Sequence, residues 1–202
     1  GRFLAQGSSE KKIVFTSFYD PDYGGSGITK VSESYWQRIW LQEGSSESKF
    51  DNCVFKYGGY GPGQSYSIAL LIEGVNPEIK DCLFEKMGGT SVKLINSSSS
   101  IENCSFQGQS YGQTLLEIEG GSPTVKNSTF KTGSLALEIK ESSASIENNA
   151  FEDFQYDFGT IFVESSYPSF QGNSFKNNKI NGITLTGDLE KDWTIGPNQT
   201  FL

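Results

Sequence analysis

The stretch GSPTVKNSTF at residues 121–130 decides the fold, because variants of it recur along the whole chain. The other copies are SSESKFDNCVF (45–55), VNPEIKDCLF (75–84), SSSSIENCSF (97–106), SSASIENNAF (142–151) and SYPSFQGNSF (166–175). Their closing phenylalanines are 21 to 29 residues apart, and a half copy, SSEKKIVF, ends at Phe15. A repeat of this length is typical of a solenoid, in which each repeat buries its apolar face against its neighbours.

A second apolar segment lies between successive copies and alternates between apolar and polar residues. In chain order it reads RIWLQEG, ALLIEG, SVKLIN, LLEIEG, ALEIKE, TIFVES and GITLTG. Alternation with a period of two, followed by turn residues, is typical of short β-strands. The leucine-rich repeat has a similar length, but its L-x-x-L-x-L-x-x-N frame is absent from this sequence.

These patterns predict an all-β fold, a right-handed parallel β-helix (solenoid) of about seven coils. Each coil of 21–29 residues would contain three short strands. Residues 1–202 would form one domain, with residues 16–35 as a long loop insertion in the first coil. Because no amphipathic capping helix is visible, we expect either continuation in a longer chain or end-to-end self-association that covers the coil ends.

One tight corner of each coil is predicted three residues before the phenylalanine. The residues at this position are Asn52, Asp81, Asn103, Asn127 and Asn148. Asn and Asp tolerate the left-handed backbone region that sharp bends need. Since coils stack at about 4.8 Å, we expect the side-chain amides of this position to bond to the coils above and below.

The next position holds Cys53, Cys82 and Cys104 in three consecutive coils. A metal site lacks support, since the sequence has no CxxC spacing and no histidine. Disulfides are also disfavoured, because a stacking distance of about 4.8 Å exceeds the usual Cβ separation in a disulfide. The pattern favours buried packing of small side chains.

The composition excludes several classes of function. The net charge of −8 opposes binding to nucleic acid, and no apolar run is long enough for membrane insertion. The absence of histidine removes the commonest general base and every Ser-His or Cys-His nucleophile pair.

The iterated frame S-P-x-I-x-N-x-x-F, represented here by SPTVKNSTF, resembles the repeats of right-handed parallel β-helix proteins of the pectate-lyase-like superfold. The segments GRFLAQGSSEKKIVFTS and YWQRIWLQEGSSESKFDNCVFKYGG are similar to those of bacterial and archaeal cell-surface and secreted repeat arrays. The resemblance implies an extracellular or cell-surface location. Lyases and hydrolases of this superfold use clustered aspartates, with a basic residue in the lyases. No strand here carries an Asp-Asp pair and the middle coils lack arginine, which argues against such activity.

The outward face of the ALLIEG-type strands is the first candidate surface for a ligand. Alternation places on it Trp40, Glu73, Glu117, Glu119, Glu138, Phe162 and Glu164. Glu117 and Glu138 should lie one coil apart, at about 4.8 Å, and can bind sugar hydroxyls or a divalent cation. A solvated wall of mixed charge, with Lys93 and Lys140 offsetting the carboxylates, is the alternative interpretation.

The variable loops are the second candidate surface, because they follow the same strand in each coil and should stack along one edge. They contain Tyr60, Tyr66, Tyr111 and Tyr156. Tyrosine offers sugar rings an apolar face and a polar tip. Alternatively, these loops fold back and cover Trp40 and Leu71.

The loop FYDPDYGGSG can supply carboxylate oxygens from Asp20 and Asp22 to Ca²⁺, although the pattern of an EF-hand is missing. No other cofactor is expected. The sequence thus predicts a non-catalytic extracellular β-helix module, either a surface-displayed adhesin or glycan-binding module or a structural stalk. Its expected partner is a polysaccharide or cell-surface glycan. The alternative is a polysaccharide-active enzyme, a lyase or glycoside hydrolase, or a fragment of one.

Overall fold

The computed structural model describes residues 1–27, 35–60, 67–109, 113–157, 159–188 and 190–194. The first three coils contain β1 (Leu4–Gln6), β2 (Ile13–Phe15), the 3-10 turn Pro21–Tyr23, β3 (Ile39–Leu41), β4 (Lys49–Asp51), β5 (Cys53–Lys56), β6 (Ile68–Glu73), β7 (Glu78–Lys80), β8 (Leu83–Glu85) and β9 (Thr90–Ile95). The next two contain β10 (Ser100–Glu102), β11 (Ser105–Gln107), β12 (Thr114–Glu119), β13 (Thr124–Lys126), β14 (Thr129–Gly133) and β15 (Leu135–Lys140). The last two contain β16 (Ser145–Glu147), β17 (Ala150–Phe154), β18 (Ile161–Glu164), β19 (Ser169–Gln171), β20 (Ser174–Lys176) and β21 (Ile183–Thr186).

The strands form three parallel sheets, and each sheet takes one strand from every coil. The first sheet has the order β1-β4-β7-β10-β13-β16-β19, and the second has the order β2-β5-β8-β11-β14-β17-β20. The third sheet, β3-β6-β9-β12-β15-β18-β21, contains the longest strands. This right-handed parallel solenoid confirms the predicted fold class, with three strands in each coil. No helix in the described part of the chain is long and apolar enough to cross a membrane.

A column of phenylalanine rings runs through the interior along the second sheet. Phe84 and Phe106 stack with ring centroids 4.8 Å apart, and Phe106 and Phe130 stack at 4.7 Å. All three side chains are fully buried. The stacking follows from the sheet register, which pairs Phe106 with Phe84 on one side and Phe130 on the other.

The predicted corner residues adopt the left-handed backbone conformation, with φ near +50°, at Asn52, Asp81, Asn103, Asn127 and Asn148. The backbone N–H of Asn103 donates to the carbonyl oxygen of Lys126 in the next coil. The side chains of the last three corner residues are exposed. Within the described residues no hydrogen bond joins the corner side chains of adjacent coils, so the expected amide ladder at this position is wrong.

The ladder of polar side chains lies one residue later, and its side chains point into the solenoid. The Oδ1 atom of Asn149 accepts a hydrogen bond from the backbone N–H of Ser128, and the Oγ atom of Ser128 accepts one from the N–H of Cys104. The backbone N–H of Asn149 in turn donates to the Oδ1 atom of Asn173. Each side chain thus satisfies a backbone donor of the preceding coil, which a buried corner requires.

The three preceding coils have a cysteine at this position. Cys53, Cys82 and Cys104 are buried free thiols, as the sequence pattern predicted. The Sγ atom of Cys82 donates to the carbonyl oxygens of Phe50 and Lys80. The interaction with Cys104, together with burial, raises the pKa of Cys82 to about 12. The pKa of Cys53 is also raised, so Cys53 and Cys82 stay protonated at neutral pH.

A second, smaller apolar layer covers the start of the third-sheet strands. Leu115 and Ala136 point away from the main core, yet both are fully buried. Phe154, from the end of β17, is also buried, and Gly108 approaches the side chain of Leu115. The chain after the second sheet therefore folds back onto the edge of the third sheet, while Trp40 stays half exposed.

Replacing Phe106 with alanine should remove one ring from the stacked column and leave a cavity between two coils. We expect a loss of roughly 3–5 kcal/mol in the free energy of unfolding, measured by chemical denaturation. The control is Gln107→Ala on the same strand, whose side chain is exposed and whose truncation should cost less than about 0.5 kcal/mol. Equal effects of the two substitutions would contradict the assigned register.

The corner conformation can be tested at Asn127, where φ is 52°. Asn127→Ala should cost about 1–2 kcal/mol, because a Cβ-bearing residue without a local polar side chain is strained in the left-handed region. Asn127→Gly should be nearly neutral, since glycine enters this region freely. Thermal unfolding of both variants measures the difference, and equal destabilisation would show that the side chain of Asn127 matters for another reason.

Candidate functional site

The outer face of the third sheet carries the predicted columns of ligand-binding residues in register. One column runs through Trp40, Leu71, Lys93, Glu117, Glu138 and Phe162. A second column, two residues further along each strand, runs through Glu73, Ile95, Glu119, Lys140 and Glu164. The predicted alternation of inward and outward residues is therefore correct on this sheet.

A groove of about 600 Å³ opens on this face. Its apolar lining comes from Ile68, Leu71 and Ile95, and its charged lining comes from Arg38, Lys93 and Glu117. Trp40 is the register neighbour of Leu71, and it is 51% exposed. The groove thus combines an apolar strip with charged groups beside an exposed indole.

Two glycines form one side of the groove, where other parts of the chain approach the backbone closely. Gly88 and Gly89 precede β9, and both line the groove. A Cβ atom at Gly89 would collide with the backbone carbonyl of Ser67, so only glycine fits this turn without rearrangement. Tyr35 and Tyr60 pack close to Gly88, because a Cβ atom there would be 3.0 Å from Cδ2 of Tyr35 and 3.1 Å from the Cβ atom of Tyr60.

Four of the five glutamates of this face are held in ion pairs with two lysines. The Nζ atom of Lys93 lies 3.3 Å from Oε2 of Glu117 and 3.2 Å from Oε2 of Glu119. The hydroxyl of Thr90 donates to Oε1 of Glu117 at 2.6 Å. Burial lowers the pKa of Lys93, but the two glutamates outweigh it, so its pKa lies above the ordinary lysine value.

A second cluster of the same composition lies around Lys140, two coils beyond Lys93. Lys140 pairs with Glu138 at 2.8 Å and with Glu164 at 3.4 Å. The hydrogen bond to Glu138 and the charge of both carboxylates raise the pKa of Lys140. The sheet face therefore carries two clusters, each with one ammonium group and two carboxylates. Glu73 is exposed, next to Ile95 in the register.

The remaining predicted ligand-binding residues are separated from the groove. Phe162 is half-buried in the same column, beyond Glu138. Tyr156 is 37% exposed and follows β17, several coils away from Trp40. Tyr66 and Tyr111 lie outside the described residues. The structure therefore does not gather the predicted residues at one point. Glu117 lines the groove, Trp40 lies three strands before it in the same column, and Tyr60 packs near Gly88.

Arg38 is the main residue of the groove that the sequence interpretation missed. It lies two residues before Trp40, and alternation along a strand would have placed the two side chains on one face. Thr90 was missed as well, since nothing in the sequence shows that its hydroxyl reaches Glu117.

The predicted calcium ligands have partners within the protein. Asp20 is fully buried, and its carboxylate accepts hydrogen bonds from the Thr16 hydroxyl and the Asp22 N–H. It thereby caps the 3-10 turn at its N-terminus. Asp22 forms a 2.9 Å ion pair with Lys56, which also contacts Glu85. Among the described residues no group of three or more His, Cys, Asp or Glu is arranged to hold a metal ion, and calcium binding stays a prediction.

A comparison with family models gives one match, and it covers residues 67–190. The description of that family is "right handed beta helix region". No curated protein and no solved structure matches the chain significantly. The matched segment covers more than half of the chain, including most of the strands of the third sheet.

The ion pair between Asp22 of the first-coil loop and Lys56 can be tested through the pKa of Asp22. The hydrogen bond and the charge of Lys56 hold the pKa of Asp22 below its ordinary value of 3.8. A carboxyl whose pKa is lowered by folding stabilises the folded state at pH values above its pKa in the unfolded chain. This stabilisation is lost as the pH falls through its pKa in the folded chain. In Lys56→Met, a carboxyl NMR titration should show the Asp22 pKa rising. The matched control is Lys49→Met, whose partner is Glu78. An Asp22 pKa that does not change in Lys56→Met would contradict the ion pair.

Proposed function

Because the chain belongs to the right handed beta helix family, we propose that it is a non-catalytic extracellular module that binds polysaccharide or cell-surface glycans. The observation that carries the proposal is the half-exposed indole of Trp40 beside the groove of the third sheet. An exposed indole is costly to leave in water and is suited to stacking against the apolar face of a sugar ring.

The groove supplies the other contacts that a sugar needs. Ile95 is partly exposed and adds an apolar contact, whereas Leu71 lines the groove but is only 7% exposed. The carboxylate oxygens of Glu117 have capacity for further hydrogen bonds beyond those from Thr90 and Lys93. A polysaccharide chain lying along the solenoid axis would meet these groups in successive coils.

The proposal includes an extracellular location, which is supported by the resemblance of the repeat frame to cell-surface and secreted arrays. Labelling of intact cells of the source organism with an antibody against the chain tests it. Protection of the chain until the cells are lysed would overturn this part of the proposal.

The alternative is a polysaccharide-active enzyme, and its best candidate groups are Glu117 and Glu138, which are register neighbours. A general acid in a glycosidase uses an apolar pocket to keep its proton. These two carboxylates lie instead on a sheet face beside Lys93 and Lys140. We therefore favour binding. Release of unsaturated products or new reducing ends at enzyme-like rates would overturn this preference.

The role of Trp40 can be tested by glycan-array screening followed by calorimetry. Trp40→Ala should weaken binding by about tenfold or more, because a buried stacking contact contributes on the order of 1–2 kcal/mol. The matched control is Phe18→Ala, an 89% exposed aromatic residue in the first-coil loop, away from the groove. Equal loss in both variants, or no loss in Trp40→Ala, would contradict the proposed site.

A further inference from the structure

The charges of the groove are satisfied within the protein before any ligand arrives. Lys93 is bonded to both Glu117 and Glu119, and the side chains of Lys93 and Glu117 are only 22% and 24% exposed. Arg38, the other cation of the groove, also interacts with groups of the protein. A ligand carboxylate or sulfate would therefore have to compete with existing partners for these cations.

That competition would be unfavourable. If Lys93 turned to an anionic ligand, Glu117 and Glu119 would lose their counter-charge and lie next to a second anion. Removing one partner from a partly buried pair leaves the other charge uncompensated, which costs more than the pair itself contributes. The local ion pairs thus select against acidic ligands.

The net negative charge of this face also disfavours acidic ligands. Acidic residues outnumber basic residues on the outward columns and groove lining, with Glu73, Glu117, Glu119, Glu138 and Glu164 against Arg38, Lys93 and Lys140. The whole chain carries a net charge of −8. A polyanionic chain would be repelled as it approached this face, most strongly at low salt.

A neutral sugar meets none of these obstacles. Its hydroxyl groups can donate to the oxygens of Glu117 without displacing Lys93, since a carboxylate has about four acceptor sites. Its C–H faces can pack on the half-exposed indole of Trp40.

We infer that the groove is selective for neutral glycans over acidic ones, and that the pairing of Lys93 with Glu117 and Glu119 is the cause of this selectivity. The inference rests on the proposed glycan-binding function and adds the class of ligand.

The test uses the full chain and two sets of probes in low salt and in high salt. The neutral probes are cello-, xylo- and manno-oligosaccharides, and the acidic probes are oligogalacturonates and oligomannuronates. We expect at least one neutral probe to bind about tenfold or more tightly than every acidic probe, with little dependence on salt. Tighter or equal binding of an acidic probe would overturn the inference and leave the proposed function standing. Binding of neither set would remove the proposed function, and the inference with it.

A double variant tests the cause. Glu117→Gln/Glu119→Gln keeps an acceptor for Thr90 but releases Lys93, so that binding of an acidic probe should rise by about tenfold and weaken with salt. The matched control is Glu102→Gln/Glu147→Gln on the first sheet, which makes the same change in net charge and releases Lys126 away from the groove. An equal rise in the control, or no rise in the groove variant, would overturn the role of Lys93.

Discussion

The parallel hydrogen bonding between successive coils is the constraint on which the rest of the structure depends. It fixes each residue against its counterpart one coil away, as Phe106 is fixed between Phe84 and Phe130. Each side chain must therefore pack closely against the side chain at the same position of the next coil. Phenylalanine rings satisfy this by parallel stacking, and the inward Ser and Asn side chains satisfy it by accepting a hydrogen bond from a backbone N–H of the preceding coil.

The same register places like charges next to each other on the outer face of the third sheet. Glu117 and Glu138 are forced into adjacent positions, where two carboxylates repel each other. The third sheet resolves this with Lys93 and Lys140, each of which lies between two carboxylates. We propose that these clusters also determine the ligand selectivity of the face, because the cations that would attract an anion are already occupied.

The fold could be predicted from the sequence because a solenoid repeats its pattern in every coil. The phenylalanine spacing and the alternation of segments such as LLEIEG were enough to assign the columns and the direction of the side chains. The candidate site could be predicted only in part. Trp40 and Glu117 follow from alternation, whereas the groove itself arises where the repeat is irregular, at Arg38 and at Gly88 and Gly89. The partners of Asp20 and Asp22 likewise depend on the folding of a loop that occurs once in the chain.

We propose that the glycan lies on the outer face of the third sheet, in the groove beside Trp40. Mapping of backbone amide NMR shifts during titration with a bound neutral oligosaccharide tests this claim most directly. We expect the shift changes to cluster around Trp40, Leu71 and Lys93, with the outer faces of the first and second sheets unaffected. Changes centred on either of those other faces, with the groove unaffected, would contradict the account.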